Sequence, residues 1–263
     1  MATLSYCPIM VEQKHTNDAA ETVSFGFKDV SAEEKTGMVH DVFASVASKY
    51  DLMNDLMSLG VHRLWKSAML DWLSPQPGHR MVDVGGGTGD ITFRWLEKGG
   101  GPVNVVDYSP EMIGVGRDRA IDKGILEGIT WSVGNAEALP LPDNSVDVYA
   151  SAFCLRNVAR LDKALSEARR VLKPGGRFLC LEFSKLVIPA LEEAYDAWSF
   201  KVLPAMGERV AADRESYIYL AESIRRFPDQ DTYAAMIADA GLGQIKVRNL
   251  SGGIAALHSA WRI

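Results

Sequence analysis

Met81-Val82-Asp83-Val84-Gly85-Gly86-Gly87-Thr88-Gly89-Asp90 is the stretch on which the reading of the whole chain turns. Met81, Val82 and Val84 make a short apolar run suited to a strand covered on both faces. Gly85, Gly87 and Gly89 leave no Cβ where a ligand must lie against backbone. Ile91-Thr92-Phe93-Arg94-Trp95-Leu96 then carries apolar residues at helical spacing. A strand, a glycine turn and a helix start are expected in that order.

Glycines fit any tight strand-to-helix turn, so the carboxylates decide what this one binds. A dinucleotide fingerprint runs G-x-G-x-x-G and sets a pyrophosphate on the helix N-terminus. Here Asp90 stands at the sixth position, a negative charge where two phosphates would lie. With Asp83 the pattern becomes D-x-G-x-G-x-G. An acid-lined turn suits a ligand with positive groups, and S-adenosylmethionine carries an ammonium and a sulfonium. Asp107 ends the next apolar run, Val103-Asn104-Val105-Val106, about 20 residues past the turn, where a nucleoside-binding fold puts an acid on the ribose hydroxyls. Its alternative role is at a helix start, since Ser109-Pro110-Glu111 puts Pro in a first turn; the two roles are compatible. A turn that binds nothing is the remaining alternative, and Asp107 weighs against it.

The chain has 263 residues, 47% hydrophobic and 24% charged, enough for one large or two small domains with ample core. A net charge of -6 argues against a generic phosphate-binding surface and so against nucleic acid. Three cysteines, Cys7, Cys154 and Cys180, form no C-x-x-C and fit a reducing compartment. The five histidines show no metal-ligand spacing, so no metal is expected. No apolar run reaches the ~20 residues that cross a bilayer; the longest, Val146 to Leu155, is interrupted by Asp147. The N-terminus lacks the basic and apolar regions of a secretory signal, and Glu12, Asp18 and Glu21 argue against an intact transit peptide.

Residues 1–32 carry little pattern and read as a loose segment. From Glu33 a helix is expected, with Val39, Val42, Phe43, Val46 and Tyr50 on one face. The block from Tyr50 to Lys66 mixes large apolar residues with Tyr, Asn, His, Arg and Lys, and reads as a lid or as an ordinary amphipathic helix pair. Residues 33–74 are thus taken as lid helices, ended by Pro75 and Pro77-Gly78. Strands and helices then alternate over 79–184: strands at Thr130–Val133 and Val146–Ala152, a helix capped by Asp162, a turn at Lys173-Pro174-Gly175-Gly176, and a strand from Arg177 to Phe183. Such alternation gives an α/β fold with a parallel sheet and right-handed crossovers. The ligand then lies beyond the strand C-termini. That gathers Gly85, Asp107, Asn135, Ala152 to Arg156, and Glu182 to Ser184 around one crevice. Residues 185–230 read as a helical cap inserted after the fifth core strand. Residues 231–263 supply a helix from Asp231 and a closing hairpin, Gln244–Leu250 with Ile254–Arg262. All of 33–263 is read as one domain.

Several of these blocks resemble the signatures of the ubiquinone/menaquinone biosynthesis C-methyltransferases. Tyr50-Asp51-x-Met53-Asn54 through Ser58, His62 and Trp65 is similar to their N-terminal signature. Arg170 to Arg177 with Glu182-Phe183-Ser184 is similar to the second. Phe153-x-Leu155-Arg156-Asn157-Val158 and Tyr217-x-Tyr219-Leu220-x-Glu222-Ser223-Ile224 also look like theirs. The resemblance covers about residues 36 to 263. It implies a class I methyltransferase fold, Rossmann-like, with a mostly parallel seven-stranded sheet. It implies S-adenosyl-L-methionine as cofactor, held by Thr88, Asp107, Asn135 and Ala136 beside Asp83, Gly85, Gly87 and Tyr108. Position 152, often Ser in that family, is Ala152 here.

The implied substrate is a polyprenylated methoxy-benzoquinol, a naphthoquinol such as demethylmenaquinol, or both. Ring-carbon methylation needs an electron-rich ring, so the quinol reacts, and loss of a phenolic proton strengthens the ring carbon as nucleophile. The protein orients two reactants and handles two protons. Arg156 is the first candidate to stabilise the developing phenolate, with a structural salt bridge as its alternative. Asn157 would orient the same hydroxyl, Tyr50 would relay a proton, and Glu182 is a candidate base. Two other functions stay open: methylation of another small molecule, or a non-catalytic cofactor-binding scaffold. An apolar tail suggests peripheral membrane contact, through the cap aromatics Tyr195, Trp198, Phe200, Tyr217 and Tyr219, unless these form the cap's own core. A homodimer and a quinone-synthesis complex are the other partners expected. The compartment is the bacterial cytoplasm or the matrix side of the mitochondrial inner membrane.

Overall fold

The computed structural model describes residues 22–46, 54–55, 58–188, 190, 192–205, 208 and 214–263. It begins with a hairpin, β1 (Thr22–Phe25) and β2 (Lys28–Ser31). The expectation of a loose segment to residue 32 is corrected over this stretch. Phe25 stacks on Tyr219 with ring centroids 4.1 Å apart, and the Phe27 N–H donates to Glu222 at 3.1 Å, 195 residues away. Partners that distant leave no local pattern. Helix α1 (Ala32–Val46) follows. Ser31 and Glu34 exchange hydrogen bonds of 2.8 and 3.2 Å, a capping box that fixes its start. Helix α2 (His62–Leu73) buries Trp65, Met69, Leu70 and Leu73.

The alternating core comprises β3 (Met81–Val84), α3 (Asp90–Glu97), β4 (Val103–Asp107), α4 (Pro110–Asp122), β5 (Ile129–Val133), β6 (Val146–Ala152), α5 (Leu161–Val171) and β7 (Leu172–Phe183). Asp162 lies inside the first turn of α5 and does not cap it. The Lys173 to Gly176 turn is carried within β7. Val146 pairs with Leu172 and Val148 with Arg177, so the extra residues bulge out of the ladder. The cap follows: α6 (Glu192–Ala197), running into a π-helical segment Trp198–Val202, and α7 (Arg214–Arg226). Helix α8 (Gln230–Asp239) is capped by Asp229, which accepts from the Thr232 N–H at 2.9 Å, so it starts just before the expected Asp231. Strands β8 (Gly243–Leu250) and β9 (Ala255–Trp261) close the chain.

The seven-stranded sheet has the order β5-β4-β3-β6-β7-β9-β8. Neighbours from β5 to β7 are parallel, and β9 runs antiparallel to both β7 and β8. This is the mostly parallel α/β sheet expected. Each face is covered by an apolar layer, one including Trp65, Met69, Leu70 and Trp95, the other Leu165, Phe178, Tyr233 and Ile237. Chain order reverses at β3, which lies between β4 and β6. A crevice therefore opens beyond the C-terminal ends of these strands. Among the described residues no helix is long and apolar enough to cross a membrane.

Candidate active site

A cleft of about 770 Å³ opens at that reversal. Gly85, Asp107, Tyr108, Asn135, Ala136 and Asn157 line it, as the sequence pattern implied. Its other wall is α1, through Thr36, Val39, His40 and Phe43, none of which the sequence marked as site residues. Gly85 has φ 65°, and a Cβ there would collide with the Cys154 side chain. Gly87, at φ 51°, donates its N–H to Asp107 Oδ2 at 2.9 Å. Asp107 Oδ1 accepts from the Ser109 N–H, also at 2.9 Å. Asp107 thus ties the glycine turn to the end of β4. Burial pushes its pKa up to about 6, against those N–H groups. Ser109 caps α4 by accepting from the Met112 N–H at 3.2 Å. Tyr108 is half exposed, with the His40 ring edge-on at 6.1 Å. Asn135 Oδ1 accepts from the Glu137 N–H at 2.9 Å, which orients the amide at the cleft wall.

A deeper recess of about 310 Å³ is lined by Gly85 to Thr88 and by Lys66, Asp83, Asp90 and Ala152. Gly85 borders both spaces, so they meet at the turn. Asp83 Oδ2 accepts from the Thr92 hydroxyl at 2.7 Å, and burial pushes its pKa up to about 7. Asp90 is also desolvated, yet Lys66 at 2.8 Å and Arg94 at 2.8 Å hold its carboxyl well below the usual range. Thr88 Oγ1 accepts from Arg119 at 2.8 Å. The recess therefore presents two carboxylates and a buried ammonium, complementary to the zwitterionic end of an amino acid. The outer cleft presents Asp107 and an amide-lined wall, complementary to a nucleoside. The residues fit S-adenosylmethionine across the two. Lys66 had a signal in the block Tyr50–Lys66, but nothing in sequence tied it to the glycine turn.

The other end of the site departs from expectation. Ala152 ends β6, Phe153 takes φ 60°, and Leu155–Asn157 form a 3-10 turn. Asn157 lines the cleft but Arg156 does not. Arg156 Nη1 donates to Glu182 Oε1 at 2.8 Å and to the Phe153 carbonyl at 2.6 Å, and the two charged side chains are only 2% and 1% exposed. The turn directs residue 156 back towards the end of β7, where a buried carboxylate needs a counter-charge. Burial raises the Glu182 carboxyl, and Arg156 opposes it. Glu182 is thereby occupied as an ion-pair partner and is not presented to the cleft. Asn157 Oδ1 accepts from the Tyr219 hydroxyl at 3.0 Å. Tyr50 lies outside the described residues. Of the cap aromatics, Tyr217 and Tyr219 are buried in the apolar layer that also holds Trp65 and Met69, while Phe200 is exposed. Among the described residues no group of three or more His, Cys, Asp or Glu could hold a metal ion.

The sequence pattern of the ubiE/COQ5 methyltransferase family matches residues 28–262. The chain is 56% identical over 249 residues to a ubiquinone/menaquinone biosynthesis C-methyltransferase of Cereibacter sphaeroides, covering 94% of this chain and all of that one. It is 57% identical over 245 residues to the protein of the same description from Acidiphilium cryptum, covering 93% and 98% of the two chains. Among solved structures, a S-adenosylmethionine-dependent methyltransferase of Thermotoga maritima, titled a possible histamine N-methyltransferase, superposes with a TM-score of 0.60 at 21% identity, covering 86% of this chain and 100% of that one. A S-adenosylmethionine-dependent methyltransferase of Aquifex aeolicus gives 0.55 at 19% identity over 75% and 89%. At these identities the structures speak for the fold alone, which is that of the class I methyltransferases.

Proposed function

The chain belongs to the ubiE/COQ5 methyltransferase family, and on that premise we infer that it methylates a ring carbon of a polyprenylated methoxy-benzoquinol, of demethylmenaquinol, or of both. It is an S-adenosylmethionine-dependent C-methyltransferase of ubiquinone and menaquinone biosynthesis. The observation that carries the finer reading is the cleft and the recess that share Gly85 as a wall, with Asp107 in the first and Lys66, Asp83 and Asp90 in the second.

When bound, S-adenosylmethionine supplies an electrophilic methyl group on a cationic sulfur. Asp107 holds the ribose hydroxyls, and Asn135 and Ala136 flank the base. Lys66 and the paired acids of the recess hold the amino-acid end, with Thr88 at the mouth of the turn. Val39 and Phe43 of α1 exclude water from the reacting end. Asn157, fixed by Tyr219, orients the quinol hydroxyl beside the carbon to be methylated. Arg156 is a positioning residue: with Glu182 it fixes the turn that presents Asn157. The phenolic proton, and the proton that the methylated ring carbon loses as aromaticity returns, would both pass to solvent, with Tyr50 of the N-terminal signature as the relay. The test is transfer of a labelled methyl group to demethyl benzoquinol and naphthoquinol acceptors. No transfer to either would leave only the scaffold reading, and transfer to one alone would fix the ring.

The apolar tail of such a substrate brings the enzyme to the membrane surface. Phe27 and Phe200 are 52% and 38% exposed and lie 6.2 Å apart, with Arg226 over the first ring and Arg225 over the second. This aromatic and basic patch is the peripheral contact, weak and reversible. Flotation with quinol-containing liposomes, lost in Phe27→Ala/Phe200→Ala, checks it; unchanged flotation of that variant rejects the patch. A second subunit or a partner of quinone synthesis on the same patch would instead appear as a larger species by light scattering.

A further inference from the structure

A second cavity, of about 610 Å³, lies behind the turn Leu155–Asn157, beneath the β1–β2 hairpin, the first turn of α1 and α7. It shares Val158 and Ala159 with the cofactor cleft, but none of the residues assigned to the cofactor. Arg156 and Tyr219, which position Asn157, also border it, but the roles given above place neither the cofactor nor the quinol in it. One side is apolar, with Leu155, Phe227 and Met236. The other is cationic, with Lys35 and Arg226, and no acidic residue is among the described residues lining it.

Lys35 is only 6% exposed, and its ammonium has no hydrogen-bond or ion-pair partner among the described residues. Burial lowers its pKa to about 8, with Glu137 pulling the other way. Glu137 is itself committed elsewhere: it accepts from the N–H groups of Ala159 and Arg160 at 2.9 and 3.0 Å and from Arg160 Nε at 2.9 Å. A largely buried ammonium whose nearest opposing charge, Glu137, makes no direct contact with it and is already committed gains from an anion that completes it. Arg226 adds a second positive charge at the exposed mouth, stacked over Phe27 at 5.6 Å. Arg156 also borders the space, but is paired with Glu182. The hydroxyls of Tyr219 and Ser223 donate to Asn157 and to the Leu220 carbonyl. The donors the cavity offers to a ligand include the two cations and the Ser24 hydroxyl.

We propose that this cavity binds an organic oxyanion with an apolar body, a carboxylate or a phosphate monoester, its headgroup between Lys35 and Arg226 and its body against Phe227 and Met236. The site is separate from methyl transfer, so its test does not depend on the acceptor. Calorimetry is done on the full chain saturated with S-adenosylhomocysteine, with benzoate and phenyl phosphate as probes. Saturable binding of either is expected, and the tighter probe identifies the headgroup. Lys35→Met should weaken it about tenfold or more, as loss of a charge-assisted hydrogen bond does, with S-adenosylhomocysteine affinity unchanged. Met236→Trp, which fills the apolar end and keeps both charges, should weaken it too and serves if Lys35→Met does not fold. No saturable binding, equal affinity in the variants, or competition with S-adenosylhomocysteine would each overturn the proposal.

Discussion

Most of the acids and the glycine turn at the cofactor end come from one short stretch of chain, residues 83–107, with Lys66, Asn135 and Ala136 added from outside it, whereas the end facing the acceptor is assembled wholly from segments far apart. Asp83, the glycine turn, Thr88, Asp90 and Asp107 fall within β3, the turn, the start of α3 and the end of β4; Asp107 accepts from the Gly87 and Ser109 N–H groups, and Asp83 from the Thr92 hydroxyl. At the acceptor end, Asn157 depends on Tyr219, which depends on Phe25, and the Arg156 turn depends on Glu182 of another strand. The first end is fixed by local backbone geometry, the second by tertiary contact. Mutations should therefore separate the two: cofactor affinity should respond to the first set and turnover to the second.

The largest separation is expected at Asp107. On the assignment proposed above, Asp107→Ala removes the acceptor of two ribose hydrogen bonds, each worth about 1.5–3 kcal/mol when charge-assisted. Affinity for S-adenosylmethionine should fall by about two to four powers of ten, while the fold persists, because the lost carboxylate is one whose burial was unfavourable. Calorimetry giving wild-type affinity would remove Asp107 from the site.

Next comes Arg156, at the other end. Arg156→Ala leaves the Glu182 carboxylate buried and unpaired, a change of about 3–5 kcal/mol in stability. Arg156→Met/Glu182→Met, which removes both charges, should recover most of that stability but not the turnover, because the turn presenting Asn157 stays unanchored. Cofactor affinity should stay near wild type in the double variant. A stable double variant with full turnover would make the pair purely structural.

The same contrast explains what could be read from sequence. The strand–turn–helix at residues 81–96, the acid at 107, the sheet and the closing hairpin were legible, because each is written in consecutive residues by period, glycine placement and charge. The cleft wall formed by Thr36, Val39, His40 and Phe43 was not, since its apolar spacing says only that α1 has a buried face. The hairpin over 22–31 was also hidden, and for Arg156 the sequence left the structural salt bridge only as an alternative. Their partners, Tyr219, Glu222 and Glu182, are fixed only by the completed fold. Lys66 joined the recess for a similar reason: α2 is remote in sequence from Asp90 but packs beside it.

A smaller effect separates the two ends by pH. Asp107 and Asp83 have folded pKa values raised by burial to about 6 and about 7, against about 3.9 in an unfolded chain. Without cofactor the folded state binds more protons than the unfolded one between pH 4 and 7, so these groups contribute less stability as pH rises. A cationic ligand favours the ionised carboxylates, so binding should release protons, and affinity should fall about tenfold per pH unit below the lower pKa for each group that must ionise. Calorimetry in buffers of different ionisation enthalpy reads the release directly. Asp83→Asn should remove its share, and Tyr219→Phe should leave it unchanged. Proton uptake on binding would contradict the assignment of both acids.

The smallest expected effect tests the acceptor end most cleanly. The Tyr219 hydroxyl donates to Asn157 Oδ1 at 3.0 Å, while its ring stacks on Phe25. Tyr219→Phe keeps the stacked ring and removes only the donor. A neutral hydrogen bond contributes about 0.5–1.5 kcal/mol, so the loss of stability should be modest. The freed amide of Asn157 can then rotate away from the orientation that meets the quinol hydroxyl. Turnover should drop by about the same free energy, roughly two- to tenfold, with cofactor affinity unchanged. If Tyr219→Phe instead lowers cofactor affinity and spares turnover, Asn157 belongs to the nucleoside end of the cleft, and the division between the two ends would have to be drawn beyond the 3-10 turn.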